Sequence, residues 1–170
     1  IAQGACASRP GMAWANIVHR MLDCPLINLG FSGNGKLESE VVNFICEQRP
    51  SLVIIDCMPN MGAIDSGEII KRLKETVYRL RKILIVEHAG NSNVLTYQTE
   101  GKKSARCNQA QQQAYKQLQK EGVKNLFYLS QADLNLHPDS WVDYVHPSDY
   151  GMMQYATVMI KKIKEIMKRE

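Results

Sequence analysis

Apolar positions recur along this chain in two alternating patterns, and the alternation predicts a fold. Over residues 12–22, Trp14, Ile17, Val18, Met21 and Leu22 recur at the spacing of one helix face. Residues 25–29 are a short apolar run, read as a strand, and residues 37–48 return to a helical pattern that Pro50 ends. Residues 52–56 are apolar without alternation, as expected of a strand covered on both faces. A helix capped by Ser66 is predicted over residues 66–81, and further strands over 83–87 and 125–129. Residues 104–121 and 148–169 read as helices, the last one opened by Ser148. Four polar or glycine-rich loops separate these elements: 2–11, 30–35, 57–63 and a long one over 88–103 holding Gly90, Asn91, Asn93 and Gly101. Loops as long as the last are often functional.

Helices that alternate with non-alternating strands predict an α/β domain with a parallel sheet covered on both faces. Ligands of such sheets sit outside the carboxyl ends of the strands. Loops 30–35, 57–63 and 88–103, with the approach to His146, all fall on that rim. No repeat, low-complexity stretch or linker interrupts the pattern, so residues 1–170 read as one domain.

Composition changes this picture little. Hydrophobic residues make up 45% and charged ones 22%, which is ordinary for a globular chain. The net charge is +4, but the basic residues are scattered apart from a cluster in residues 161–169, where they suit the negative end of a helix dipole. No aromatic-basic stripe accompanies them, so no nucleic-acid partner is expected. The five cysteines, Cys6, Cys24, Cys46, Cys57 and Cys107, form no Cys-x-x-Cys pair and read as free thiols. No apolar run is long enough to span a bilayer, and no signal peptide is visible. The chain opens on Ile1 without an initiator methionine, which predicts a piece of a longer protein.

Chemistry concentrates near the C-terminal end, in Asp143-Tyr144-Val145-His146-Pro147. A carboxylate three residues before a histidine can accept its Nδ1–H, set the tautomer and leave Nε2 as a general base. Acyl transfer also needs donors aimed at an oxyanion, and Gly33 and Asn60 follow successive strands from which a backbone N–H and a side-chain amide could converge. Arg9 and His88 are candidates for contacting substrate; His19 reads as a surface or packing residue. His137, Asp143 and His146 lack metal-binding spacing, and no Walker lysine-serine pair follows the glycines, so neither a metal nor a cofactor is expected.

Asn28-Leu29-Gly30-Phe31-Ser32-Gly33, Asp56-Cys57-Met58-Pro59-Asn60 and Asp143-x-x-His146-Pro147 together resemble blocks II, III and V of the SGNH (GDSL-like) hydrolases. The resemblance is nearest to bacterial members with a Met-Pro-Asn third block; Met58 replaces the commoner glycine and Met61 the commoner acid. It implies a flavodoxin-like three-layer sandwich with strand order 2-1-3-4-5 and a Ser-Asp-His esterase. Asp143 and His146 would be the catalytic pair, and Gly33 and Asn60 would belong to the oxyanion hole. The implied substrate is a small acyl ester, above all an acetyl group on a carbohydrate, and the implied setting is periplasmic or secreted.

In the family's first block, Gly-x-Ser-Ile, the nucleophile ends the first, central strand. Ile1-Ala2-Gln3-Gly4 matches the residues just after that serine, so the resemblance puts the nucleophile immediately before Ile1 and the first strand upstream of it. Ser8, Ser32, Cys6 and Cys57 are weaker internal alternatives; neither cysteine has an activating neighbour in sequence. Such a fragment would itself be inactive, and the rival reading is a non-catalytic binding or assembly module on the same scaffold. Without the central strand, two strand edges would be unpaired. The sheet would then close over the gap, or another chain or an upstream segment would fill it, which leaves room for a homo-oligomer or an upstream domain.

Overall fold

The computed structural model describes residues 1–92, 96 and 98–168. Its elements are α1 (Trp14–Leu22), α2 (Ser39–Glu47), β1 (Val53–Ile55), α3 (Ser66–Val77), β2 (Ile83–Val86), α4 (Gln98–Lys120), β3 (Leu126–Leu129), α5 (Gln131–Leu134) and α6 (Asp149–Met167). The three strands form one parallel sheet in the order β1-β2-β3, with Val53 opposite Ile83 and Ile83 opposite Leu126.

Central strand β2 explains the layering. All four of its residues are buried, and successive side chains point to opposite faces. Leu84 and Val86 join the core built with α1 and α6, while Ile83 and Ile85 join the core built with α3 and α4. A strand covered on both sides has no solvent face to display as alternation, hence its uniformly apolar sequence. On the first side Trp14 stacks on Tyr155 with ring centroids 5.4 Å apart, joining α1 to α6. Helix α6 begins tightly against the loop before it. Ser148 accepts from the Gly151 N–H, and a Cβ on Gly151 would lie 2.2 Å from the Ser140 carbonyl oxygen.

The structure corrects several expectations. Residues 25–29 form no strand and pair with none. The 2-1-3-4-5 order that the resemblance implies would put another strand between them and β1; the observed sheet is β1-β2-β3. The sheet has not closed over that space. Instead residues 25–29 are held by side chains: the His19 ring nitrogen Nδ1 meets the Cys24 carbonyl at 2.5 Å, and Asn28 Nδ2 donates to the Ala2 carbonyl at 2.8 Å. Helix α3 is capped by Asp65, whose carboxylate accepts from the Glu68 N–H at 3.0 Å, and not by Ser66. Helix α4 begins at Gln98, well before Ser104. Lys103 pairs with Glu100 at 2.7 Å and Ser104 Oγ donates to the Glu100 carbonyl at 3.0 Å, so local bonds carry the helix through Gly101. Short helix α5, not expected, is set by a capping box between Ser130 and Asp133. Asn93 of the polar loop and Arg169 of the last basic cluster lie outside the described residues.

Candidate active site

Asp143 and His146 sit on the loop between a 3-10 turn (Pro138–Ser140) and α6. The loop is closed at its base by the Val142 N–H donating to the His146 carbonyl at 2.9 Å. Inside it, Asp143 Oδ1 accepts from the N–H groups of Val145 and His146, at 2.8 and 2.7 Å. Its other oxygen lies 2.8 Å from His146 Nδ1. The three-residue spacing thus lets one carboxylate organise the turn and orient the ring. Partial burial pushes the Asp143 carboxyl up, but the bonds from the His146 ring and from the Val145 and His146 backbone outweigh it and hold it below the usual carboxylate range. An ionised acceptor at Nδ1 places the ring proton there and leaves Nε2 able to take one.

Asn60 lies in the 3-10 turn Met58–Met61 that follows β1. Met58 and Met61, the two residues that depart from the commoner block III, are 1% and 0% exposed and anchor the turn in the core beneath α3 and α4. The Asn60 amide reaches across to the glycine loop, with Nδ2 3.3 Å from the Gly35 carbonyl and 3.4 Å from that of Phe31. In that loop Gly33 has φ +65° with open space where a Cβ would be, so glycine serves its backbone conformation and not close packing. Gly30 is the opposite case: a Cβ there would lie 2.3 Å from the backbone nitrogen of Gln3. The N–H groups of Asn34 and Gly35 both go to the Phe31 carbonyl.

Gly33, Asn60, His88 and His146 line one cavity of about 1060 Å³, together with Ile1. From the rim the cavity runs down between residues 25–29 and β1, where Leu26, Val42 and Ile54 make it apolar. Buried polar groups at and behind its wall are unusual; Trp14 and Asp56 line it and Tyr155 does not. Trp14 Nε1, both Asp56 carboxyl oxygens and the Tyr155 hydroxyl are buried without a hydrogen-bond partner. Burial raises the Asp56 carboxyl above the usual carboxylate range; Tyr155 and Trp14 pull the other way without overcoming it. Tyr155 and Trp14 are thus near enough to act on Asp56, yet neither completes a hydrogen bond to it.

His88 is 3% exposed and held by backbone on both sides. Its N–H donates to Asn108 Oδ1 at 2.8 Å, Asn108 Nδ2 donates to its carbonyl at 3.1 Å, and its Nδ1 accepts from the Gly90 N–H at 3.0 Å. A neutral ring accepting at Nδ1 carries its proton at Nε2. Burial lowers its pKa to about 4. The unfolded chain takes up this proton near pH 6.5, so stability linked to His88 is intact above that pH and lost as pH falls toward the folded value. The expected loss between pH 7 and pH 5 is about 2 kcal/mol. Urea unfolding at the two pH values checks this, since His88→Gln should remove that share of the acid sensitivity.

Of the remaining candidates, Ser32 and Cys57 line the cavity, whereas Arg9, Ser8 and Cys6 do not. Arg9 is exposed and does not line it; its charge acts on Asp149. Ser8 is engaged by the Asp149 carboxylate through both its N–H, at 2.8 Å, and its hydroxyl. Ser32 is exposed on the glycine loop. Burial, followed by the Asp56 and Glu38 charges, pushes the Cys57 thiol far up, away from nucleophilic use. Cys6 is different. It adopts a left-handed φ of 67°, and its Sγ, an Asp143 oxygen and a His146 ring nitrogen lie within 4.8 Å of one another. No sequence neighbour signalled this, because the partners come from opposite ends of the chain. Glu87 was also missed. It is 3% exposed, and its carboxylate accepts from Gln112 Nε2, the Tyr128 hydroxyl and the Gln131 N–H at 2.6, 2.7 and 2.6 Å, tying β2 to α4, β3 and α5. Its one sequence signal was an acid ending an apolar strand.

A parallel sheet thus lies between two helical layers, with an Asp-oriented histidine and the Asn60 amide beside one cavity. Residues 1–164 match the GDSL-like Lipase/Acylhydrolase family, and the chain belongs to it. A comparison with curated protein sequences finds no match. Among solved structures, a candidate GDSL-like lipase from Bacteroides ovatus ATCC 8483 is 32% identical with a TM-score of 0.89, over 99% of this chain and 51% of that one. A salicylyl-acyltransferase from a tetracycline biosynthetic pathway is 16% identical with a TM-score of 0.78, over 98% and 52%. Est24, a carbohydrate acetylesterase from Sinorhizobium meliloti, is 12% identical with a TM-score of 0.70, over 92% and 86%. The last two are likenesses of fold. The chain spans about half the length of the first two structures it matches. Among the described residues, no helix is long and apolar enough to cross a membrane.

Proposed function

We propose that this chain is the base-bearing part of a serine esterase that cleaves small acyl esters through an acyl-enzyme. The observation that carries this reading is the 2.8 Å pairing of His146 Nδ1 with Asp143, which leaves Nε2 free while His146 lines the same cavity as Asn60, Gly33 and Ile1. The nucleophile is the residue immediately before Ile1, on a strand that occupies the cavity between residues 25–29 and β1. An apolar slot beside an unpaired strand edge suits one further parallel strand. His146 takes the serine proton as the ester carbonyl is attacked, then returns it to the leaving alcohol; water, activated by the same nitrogen, clears the acyl group. The Gly33 N–H and the Asn60 amide hold the oxyanion. Arg9 and His88 are secondary: the buried His88 can offer Nε2–H to a ligand in the cavity, whereas Arg9 acts only on a substrate extending outward.

The acyl group is proposed to be acetyl, carried on a carbohydrate. The carbohydrate acetylesterase from Sinorhizobium meliloti that shares the fold is consistent with that choice. The test compares residues 1–170 with the protein extended upstream, using a chromogenic acetate ester and an acetylated sugar. Turnover should require the extension and a serine directly before Ile1. An extended protein that is inert, or as active after that serine is changed to alanine, would overturn the reading.

A further inference from the structure

Cys6 is the one thiol placed against the proposed general base, and the esterase mechanism gives it nothing to do. Its Sγ, a carboxylate oxygen of Asp143 and a ring nitrogen of His146 all lie within 4.8 Å of one another, and no other such cluster of three occurs among the described residues. The loop that carries Cys6 holds it there with a left-handed backbone, φ 67°, which a non-glycine residue seldom adopts. Cys6 and Asp143 are exposed and His146 half-buried, so the cluster is open to solvent.

A thiolate, an imidazole and a carboxylate are the donor set that zinc takes, with bonds of about 2.0–2.3 Å. Donors around one tetrahedral ion then stand roughly 3.3–3.8 Å apart, inside the spread seen here. We propose that Cys6, Asp143 and His146 form a binding site for one zinc-like divalent ion, and that its occupation switches off the base. Three protein ligands leave a fourth position for water. Coordination through Nε2 covers the nitrogen that would accept the serine proton. Coordination through Nδ1 displaces Asp143 from the ring and drives the proton to Nε2, with the same result. The Cys6 thiol loses its proton to solvent as the sulfur–metal bond forms. Metal binding at this site is read without turnover and does not depend on the esterase reading, whereas the switching-off of the base rests on it.

Cobalt(II) is the probe, since a thiolate ligand gives it a charge-transfer absorption. Titrating the purified protein should develop that band at one equivalent, and zinc should abolish it. Cys6→Ser and Cys6→Ala should lose the band, Cys46→Ser should keep it, and His146→Ala should weaken binding at least about tenfold, the scale on which even outer-shell partners matter. Circular dichroism confirms that each variant is folded. Absence of a band in the unaltered protein, a band that survives in both Cys6 variants, or undiminished affinity in His146→Ala would each overturn the proposal.

Discussion

Replacing His146 by alanine lowers kcat of the upstream-extended protein on a chromogenic acetate ester by about 10²–10⁴-fold, the range for loss of a positioned general base. KM should change little, because the ring meets the reacting proton and not the body of the substrate. The geometry makes this more than a generic expectation. One Asp143 oxygen is occupied by two backbone N–H groups and the other by Nδ1, so the ring is held in one tautomer with Nε2 outward. Asp143→Asn should therefore also fall steeply, since an amide placed there can present N–H to Nδ1 and favour the wrong tautomer. The lowered pKa of Asp143 gives the pH sense. The orienting bond is intact above the ordinary carboxylate value and is lost as pH falls through the folded one, so acid inactivation through Asp143 should lie below about pH 4. Steady-state kinetics of the two variants measures all of this.

The second large effect is expected at Asn60. Asn60→Ala should reduce kcat by about 10²–10³-fold, the usual cost of one oxyanion donor, with KM nearly unchanged. In the present geometry Nδ2 makes only long contacts, 3.3 and 3.4 Å, to carbonyls of the glycine loop. Bonds that long are weak and readily exchanged for an oxyanion. The turn beneath is rigid, because Met58 and Met61 are sunk in the core, so truncating an amide at its surface should leave the fold unchanged. An unchanged thermal midpoint with a collapsed kcat separates this role from a structural one.

Local features were the legible ones. Asp-x-x-His was readable because its geometry closes within one turn, needing no distant residue to bring carboxylate and ring together. Strand β2 is readable because full burial leaves an uninterrupted apolar run, and β1 and β3, partly buried beside it, keep the same apolar character. Residues 25–29 are apolar yet pair with no strand and are largely exposed, Ile27 at 65%, because pairing and burial depend on a neighbour that the local run does not supply. Helix α4 reads from the sequence only as 104–121, because its earlier turns are held by a side-chain ion pair and a hydroxyl bond that spacing patterns do not weigh. Asp65 was passed over for the adjacent Ser66, since both are good caps and only backbone geometry chooses between them. The placement of Cys6 beside His146, and the satisfaction of Glu87 by three elements, are long-range facts that no spacing encodes.

Everything proposed for catalysis turns on His146 serving a serine directly before Ile1. The decisive experiment treats the upstream-extended protein with a fluorophosphonate, which captures activated serines, and maps the adduct by mass spectrometry. One adduct is expected, on the residue immediately preceding Ile1, formed rapidly in the unaltered protein and at least about 10²-fold more slowly in His146→Ala. An adduct on Ser8 or Ser32, or labelling at that serine that is indifferent to His146, would contradict the assignment.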